Sequence, residues 1–174
     1  MTLETFTGGD HQDGMARVWR IRRGALEPLL RLPGQMKEPS ARIEKGNVEI
    51  AFTRHLRHLS APNLGTRLGY VTTIRAVGTR VTSSTESANP WVDVVDRYYG
   101  LARTSPAAAR ALLADPALAS QLGTHPPMSL DDGGDARSGS GWIEIEREDV
   151  RYRLDSRRDA GGRWRITSVE AKRE

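Results

Sequence analysis

Between residues 90 and 102 apolar side chains return every third or fourth position. Trp91, Val94, Val95, Tyr98 and Leu101 form one stripe, with Asp93, Asp96 and Arg97 outside it. That spacing predicts an amphipathic helix. Asn89-Pro90, Ser105-Pro106 and Asp115-Pro116 each put a capping residue before a proline. The cap oxygen can accept a first-turn N–H, and proline at N1 loses no bond. Three helix starts are therefore expected. The second helix is Ala-rich and anchored by Leu112 and Leu113. The third carries Ala117, Leu118 and Leu122 and stops at Gly123.

Elsewhere the period changes to two. Residues 67–85 are dense in β-branched and aromatic side chains (Tyr70, Val71, Thr72, Thr73, Ile74, Val77, Val81) and predict strand, with Gly78 as a bulge or a break. Trp142, Ile143 and Ile145, then Val150, Tyr152 and Leu154, then Trp164 and Ile166 predict three further strands, the last two joined by a turn at Asp159–Gly162. Arg17–Arg22 alternates as a strand, with Trp19 and Ile21 on one face. Ala25–Leu32 has leucines at helical spacing, shortened by Pro28.

Residues 41–59 read two ways. With period two, Ala41 and Ile43 face Val48, Ile50 and Phe52 across a Lys45-Gly46-Asn47 turn. With period 3.6, Asn47 caps a helix holding Val48, Ala51, Phe52, His55, Leu56 and Leu59 inward. Val, Ile and Phe favour strand for 48–53, while 54–59 lacks alternation.

Two segments show no periodicity. Met1–Gly14 is polar and slightly acidic, resembles neither a secretory signal nor a transit peptide, and reads as a disordered tail. Thr124–Gly141 is rich in Pro, Gly, Asp and Ser and reads as a mobile loop. The expected architecture is α+β: one domain over 15–174, an antiparallel sheet joining 67–83 with 142–169, and short helices packed on one face. Trp91 and Trp164 are expected to be buried.

Composition narrows the functional classes. The chain has 174 residues and no cysteine, which excludes disulfides, thiolate metal sites and cysteine nucleophiles. No apolar run approaches the roughly 20 residues of a membrane span, so the expectation is a cytoplasmic protein with no membrane partner. The net charge is +4, and residues 1–89 hold 13 Lys or Arg against 8 Asp or Glu. Arginine outnumbers lysine 23 to 3, which is the usage of a GC-rich bacterial genome and accounts for much of the basic excess without any binding role.

Candidate chemistry is sparse. His55 and His58 are spaced as a metal pair on a helix, but Arg54 and Arg57 beside them repel a cation. Asp131, Asp132 and Asp135 lack the closing Glu of a calcium loop. Glu144 and Glu146 can face Arg151 and Arg153 across a hairpin, as ion pairs on its wet face. No catalytic residue, metal site or cofactor is assigned. Arg17, Arg20, Arg22 and Arg23 flank Trp19, a basic cluster with an interleaved aromatic that can pair phosphates and stack bases. The same residues also suit a charge-protected edge strand.

The helix Trp91–Tyr99, the Ala/Leu-rich Ala107–Leu113 and the closing strand Gly162–Val169 together resemble the nuclear-transport-factor-2-like, or cone, fold. Three strands are read after the helices, where that family has four or more. The resemblance implies a pocket at the mouth of the first helix, with Asp96, Tyr98, Tyr99 and Trp164 as ligand candidates. Read from spacing alone, Tyr98 belongs to the core and Asp96 to the surface. The favoured function is a non-catalytic accessory module binding a protein partner or small ligand. A nucleic-acid-associated protein and a small cone-fold enzyme are the alternatives.

Overall fold

Val48, Ile50 and Phe52 are all buried, so alternation decides the conformation of 47–55. A computed structural model describes residues 2–8, 13–31, 36–44, 47–59, 67–77 and 80–172. The protein is α+β and its contacts divide it into two compact units. One comprises Met1–Arg54 and Gly69–Glu86, the other His55–Leu68 and Ser87–Glu174.

The first unit carries β1 (Thr2–Gly8), β2 (Asp13–Arg22), β3 (Ala25–Arg31), β4 (Met36–Glu44), β5 (Asn47–His55), β6 (Arg67–Val77) and β7 (Arg80–Ser87). Their sheet runs β1-β2-β4-β5-β6-β7, with β3 on β2. The β4–β5 register sets Ala41 opposite Ile50 and Ile43 opposite Val48, which resolves the ambiguity at 41–53 in favour of the hairpin. Gly78 lies outside the described residues, between β6 and β7. Phe52 and Tyr70 stack with ring centroids 5.6 Å apart. The Arg54 guanidinium lies over both rings, 5.0 and 5.2 Å from their centroids.

Two expectations fail in this unit. The supposed tail contains β1, which pairs antiparallel with β2 from Thr2 against Trp19 to Gly8 against Asp13. The supposed helix 25–32 is β3. Pro28 cannot donate to a ladder, but among the described residues β3 pairs with β2 alone, and proline is tolerated on an edge strand.

The second unit opens with α1 (Pro90–Ala102), α2 (Pro106–Arg110) and α3 (Leu118–Leu122), then β8 (Met128–Asp135), β9 (Ser140–Arg147), β10 (Val150–Arg158) and β11 (Trp164–Lys172). The four strands form a separate sheet in the order β11-β10-β9-β8, so 67–83 and 142–169 do not share one sheet. Ile143, Ile145, Leu154 and Ile166 are buried, and α1 packs on β9, β10 and β11. The alternate positions form the polar face. Register pairs Arg151 with Glu146 and Arg153 with Glu144. Arg151 Nε lies 3.8 Å from Glu146. Glu144 takes Lys172 as its ion partner instead, and Arg153 bonds Asp155 at 3.1 Å.

The largest correction is Thr124–Gly141. It holds β8 and the turn into β9, with Gly134 paired to Gly141 and Gly133 to Trp142. The Asp135 side chain closes the turn by accepting the Arg137 amide at 2.8 Å.

Candidate functional site

Helix α1 begins as its sequence predicts, with Pro90 in the first turn. The Asn89 and Ser105 side chains nevertheless make no cap bond. Asn89 Nδ2 instead reaches Asp132 at 3.4 Å, and the same carboxylate oxygen accepts the Trp91 indole N–H at 3.1 Å. The Asp115 side chain accepts the Ala117 amide at 2.9 Å just ahead of α3, whose own N-cap position, Ala117, has no side-chain cap bond.

Asp96, expected on the surface, is 3% exposed. Its carboxylate accepts the backbone N–H groups of His58 and Leu59, each at 2.9 Å, and of Arg57 at 3.4 Å. A buried carboxylate is tolerated when several donors solvate it. Asp96 therefore pins the 57–59 chain to α1. The His58 ring rests against Gly100 of the same helix. The His55 side chain lies outside the described residues.

Tyr98 and Tyr99 are both buried, as is Trp91. The two tyrosine rings meet edge to face, with centroids 5.2 Å apart. Tyr98 donates its hydroxyl to the Gly123 carbonyl and Tyr99 to the Leu122 carbonyl, each at 3.2 Å. Arg147 Nη1 adds a bond of 2.6 Å to the Leu122 oxygen. Adjacent residues of α1 thus hold adjacent carbonyls at the end of α3. Burial pushes the pKa of both phenols above the ordinary tyrosine value, outweighing the lowering by Arg110 on Tyr98 and by Arg147 on Tyr99. Both stay neutral at physiological pH.

This arrangement leaves a groove of about 530 Å³ among the three helices. Tyr98, Ala102, Pro106, Ala109, Arg110 and Pro116 line it, and Ala117, Ala119, Ser120 and Thr124 complete its wall. Small side chains on two one-turn helices create the space. Arg110 is the charged member of the lining. The Ser120 hydroxyl bonds the Ala117 carbonyl at 2.8 Å, so it is engaged within α3.

The base of α2 is held from the sheet. Arg165 Nη1 bonds the Ala111 carbonyl and, at 3.4 Å, that of Leu113. Asp159 steadies Arg165 through Nε at 2.8 Å. That bond, with the Arg163 amide as second cause, lowers the Asp159 pKa to about 2. Leu113 forms a parallel bridge to Ile166, so the chain after α2 extends the edge at β11.

Of the four pocket candidates, Tyr98 alone lines the groove. Asp96 and Tyr99 serve the core. Trp164 packs on Trp91, with centroids 6.0 Å apart, and is half-buried. The nucleic-acid candidates fall in the first unit: Arg17, Trp19, Arg20 and Arg22 on β2 and Arg23 in the turn after it. Trp19 is half-buried and Arg23 exposed. Sequence reading missed Arg110, Arg147 and Arg165. The available signal was an Ala-rich segment with a single cation, Arg110, at its end.

Among the described residues no three His, Asp or Glu side chains gather as metal ligands. Among the same residues no helix is long and apolar enough to cross a membrane. Comparison with protein-family models, curated proteins and solved structures finds no match for this chain.

Proposed function

We propose that the chain is a non-catalytic module and that the groove among α1, α2 and α3 is its binding site for a partner segment or small ligand. The observation that carries this reading is the lining itself, alanine and proline walls with the Tyr98 ring and one guanidinium, Arg110. An apolar cleft with few polar groups is the usual form of a ligand site. It selects a ligand with an apolar body and an anionic group. The hydroxyls at the groove give no support to catalysis: Tyr98 is neutral and bonded to Gly123, and Ser120 is bonded to Ala117. The lining residues include no His, Asp or Glu to serve as the base that an activated nucleophile requires.

The order of elements supports a second part of the proposal, that residues 90–172 are a cone-fold domain of the nuclear-transport-factor-2-like kind. Four strands, β8 to β11, follow the helices. Fold alone does not assign function, so the functional argument rests on the groove.

The test is a thermal-shift series with aliphatic and aryl carboxylates against their uncharged alcohols. Carboxylates are expected to raise the midpoint, and Arg110→Glu or a groove-filling Ala117→Trp to abolish the rise. Equal response to acids and alcohols in all three proteins would overturn the reading.

A further inference from the structure

Leu26 is the most exposed large apolar side chain among the described residues, 60% accessible. It stands near the tip of the β2–β3 hairpin. The turn there is Arg23-Gly24, with φ of 49° and 80°. Two successive positive φ values are the conformation that closes a two-residue hairpin without splaying its strands. Arg23, Gly24, Ala25, Leu26 and Pro28 are all exposed. Register sets Ile21 opposite Leu26 and Trp19 opposite Pro28. Since successive residues of a strand alternate between faces, Leu26 and Pro28 share one face of the hairpin with Trp19. Glu27 falls on the other face, with Arg20 as its register partner. The stretch from Arg17 to Arg31 holds five arginines and one acid, Glu27.

A hairpin tip that combines an exposed leucine with a surplus of arginines in its sequence is complementary to a surface that is apolar inside and anionic outside. A lipid headgroup region has both properties. A nucleic acid presents phosphate without hydrocarbon, and its bases ask for an exposed flat ring, whereas Trp19 is half-buried. We propose that the β2–β3 hairpin docks on an anionic bilayer surface, with Leu26 entering the headgroup boundary and the arginines about it attracted by lipid charge. The expectation of no membrane partner rested on the absence of a spanning segment, and that absence says nothing about contact with a surface. An amphipathic element lying in the interface gains from buried apolar area and from anionic lipid together. The hairpin lies in the unit that lacks the helical groove, so the two proposals stand or fall separately.

The experiment is co-sedimentation of the full chain with vesicles of phosphatidylcholine alone and of phosphatidylcholine mixed with phosphatidylserine. Binding is expected to the mixed vesicles, to fall as ionic strength rises, and to be weak or absent on phosphatidylcholine. Leu26→Ser is expected to weaken binding on the order of tenfold, from the transfer free energy of one leucine side chain. Arg23→Glu should weaken it similarly. Arg137→Glu, an exposed arginine in the β8–β9 turn, makes the same charge change and should leave binding intact. Because Leu26 and Arg23 are exposed, neither variant removes core packing, and a circular dichroism melt matching the wild type verifies the fold. Absence of binding to mixed vesicles overturns the proposal. So does a Leu26→Ser variant that binds as the wild type, or an Arg137→Glu variant that loses as much as Arg23→Glu. Tight binding of a duplex oligonucleotide, lost in Arg23→Glu and unaccompanied by vesicle binding, assigns the hairpin to nucleic acid and overturns it too.

Discussion

The indole ring of Trp91 occupies the place where a β-carbon on Gly141 would stand. The pair joins the first turn of α1 to the start of β9, and Gly134, the partner of Gly141 across the ladder, leaves room for the same ring. Gly141→Ala should therefore overpack the site and cost about 1–3 kcal/mol. Trp91→Ala, which empties it, should cost about 3–5 kcal/mol. Urea denaturation followed by far-ultraviolet circular dichroism measures both. An unchanged midpoint for Gly141→Ala would mean that Trp91 does not rest there.

Asp96→Ala should leave the His58 and Leu59 amides without their acceptor. An orphaned buried donor costs about 1–3 kcal/mol, so the variant should lose at least that. Asp96→Asn keeps one acceptor oxygen and should lose less. Hydrogen exchange at the two amides gives the local readout. Fast exchange confined to 58 and 59 is expected in the alanine variant, and unaltered protection in both variants would contradict the assigned bonds.

Acid should loosen the base of α2 through Asp159. Its folded pKa is about 2 against an ordinary value of 3.8. A carboxylate with a depressed folded pKa adds stability that is complete above its unfolded value and disappears as pH falls through the folded one. The melting difference between wild type and Asp159→Asn should thus be constant above about pH 4 and shrink between about pH 4 and 2. Melting curves across that range are the measurement. A difference that persists unchanged at pH 2 would show that the charge on Asp159 is not its source.

Ser156 is fully buried on β10 and its hydroxyl has no protein partner. A buried polar group without a bond is a cost to folding. Ser156→Ala should raise stability by up to about 1 kcal/mol in equilibrium denaturation. A clear loss would reveal a bond made by that hydroxyl.

Tyr99→Phe should cost about 0.5–1.5 kcal/mol, the net worth of one hydrogen bond, because Arg147 still holds the Leu122 carbonyl. Tyr99→Phe combined with Arg147→Met removes both donors from that oxygen. The pair should cost more than the sum of its parts, since residues sharing one partner are coupled. A double-mutant cycle on denaturation midpoints measures this, and strict additivity would argue against the shared acceptor.

Little of the candidate groove was legible in advance. Tyr98 was singled out, but as part of a pocket mouth shared with Asp96, Tyr99 and Trp164. The groove depends on where three short helices stop relative to one another. Those positions are held by Tyr98 on Gly123, Tyr99 and Arg147 on Leu122, and Arg165 on Ala111 and Leu113. Each contact spans 23 residues or more, and no local spacing encodes it. Asp96 shows the same limit. Placing it outside the apolar stripe was correct as a pattern, yet the 57–59 backbone supplies donors that make its burial favourable.

By itself the sequence determined the local conformations whose periodicity was complete: α1 from the Trp91–Leu101 stripe, and β9 and β10 from Ile143, Ile145 and Leu154. Helix and strand repeats arise from backbone geometry, so a run of side chains at either spacing declares its own element. Only the tertiary structure decided the segments without such a run. Gly133 and Gly134 have low strand propensity, yet they lie in β8, where Trp91 and Trp142 pack against a backbone bare of side chains. Pro28 sits in β3 because that strand is bonded on one side. The split into two sheets was settled the same way, by which edges found partners. Strand pairing is a contact between distant residues, and its energy is absent from any short window of the chain.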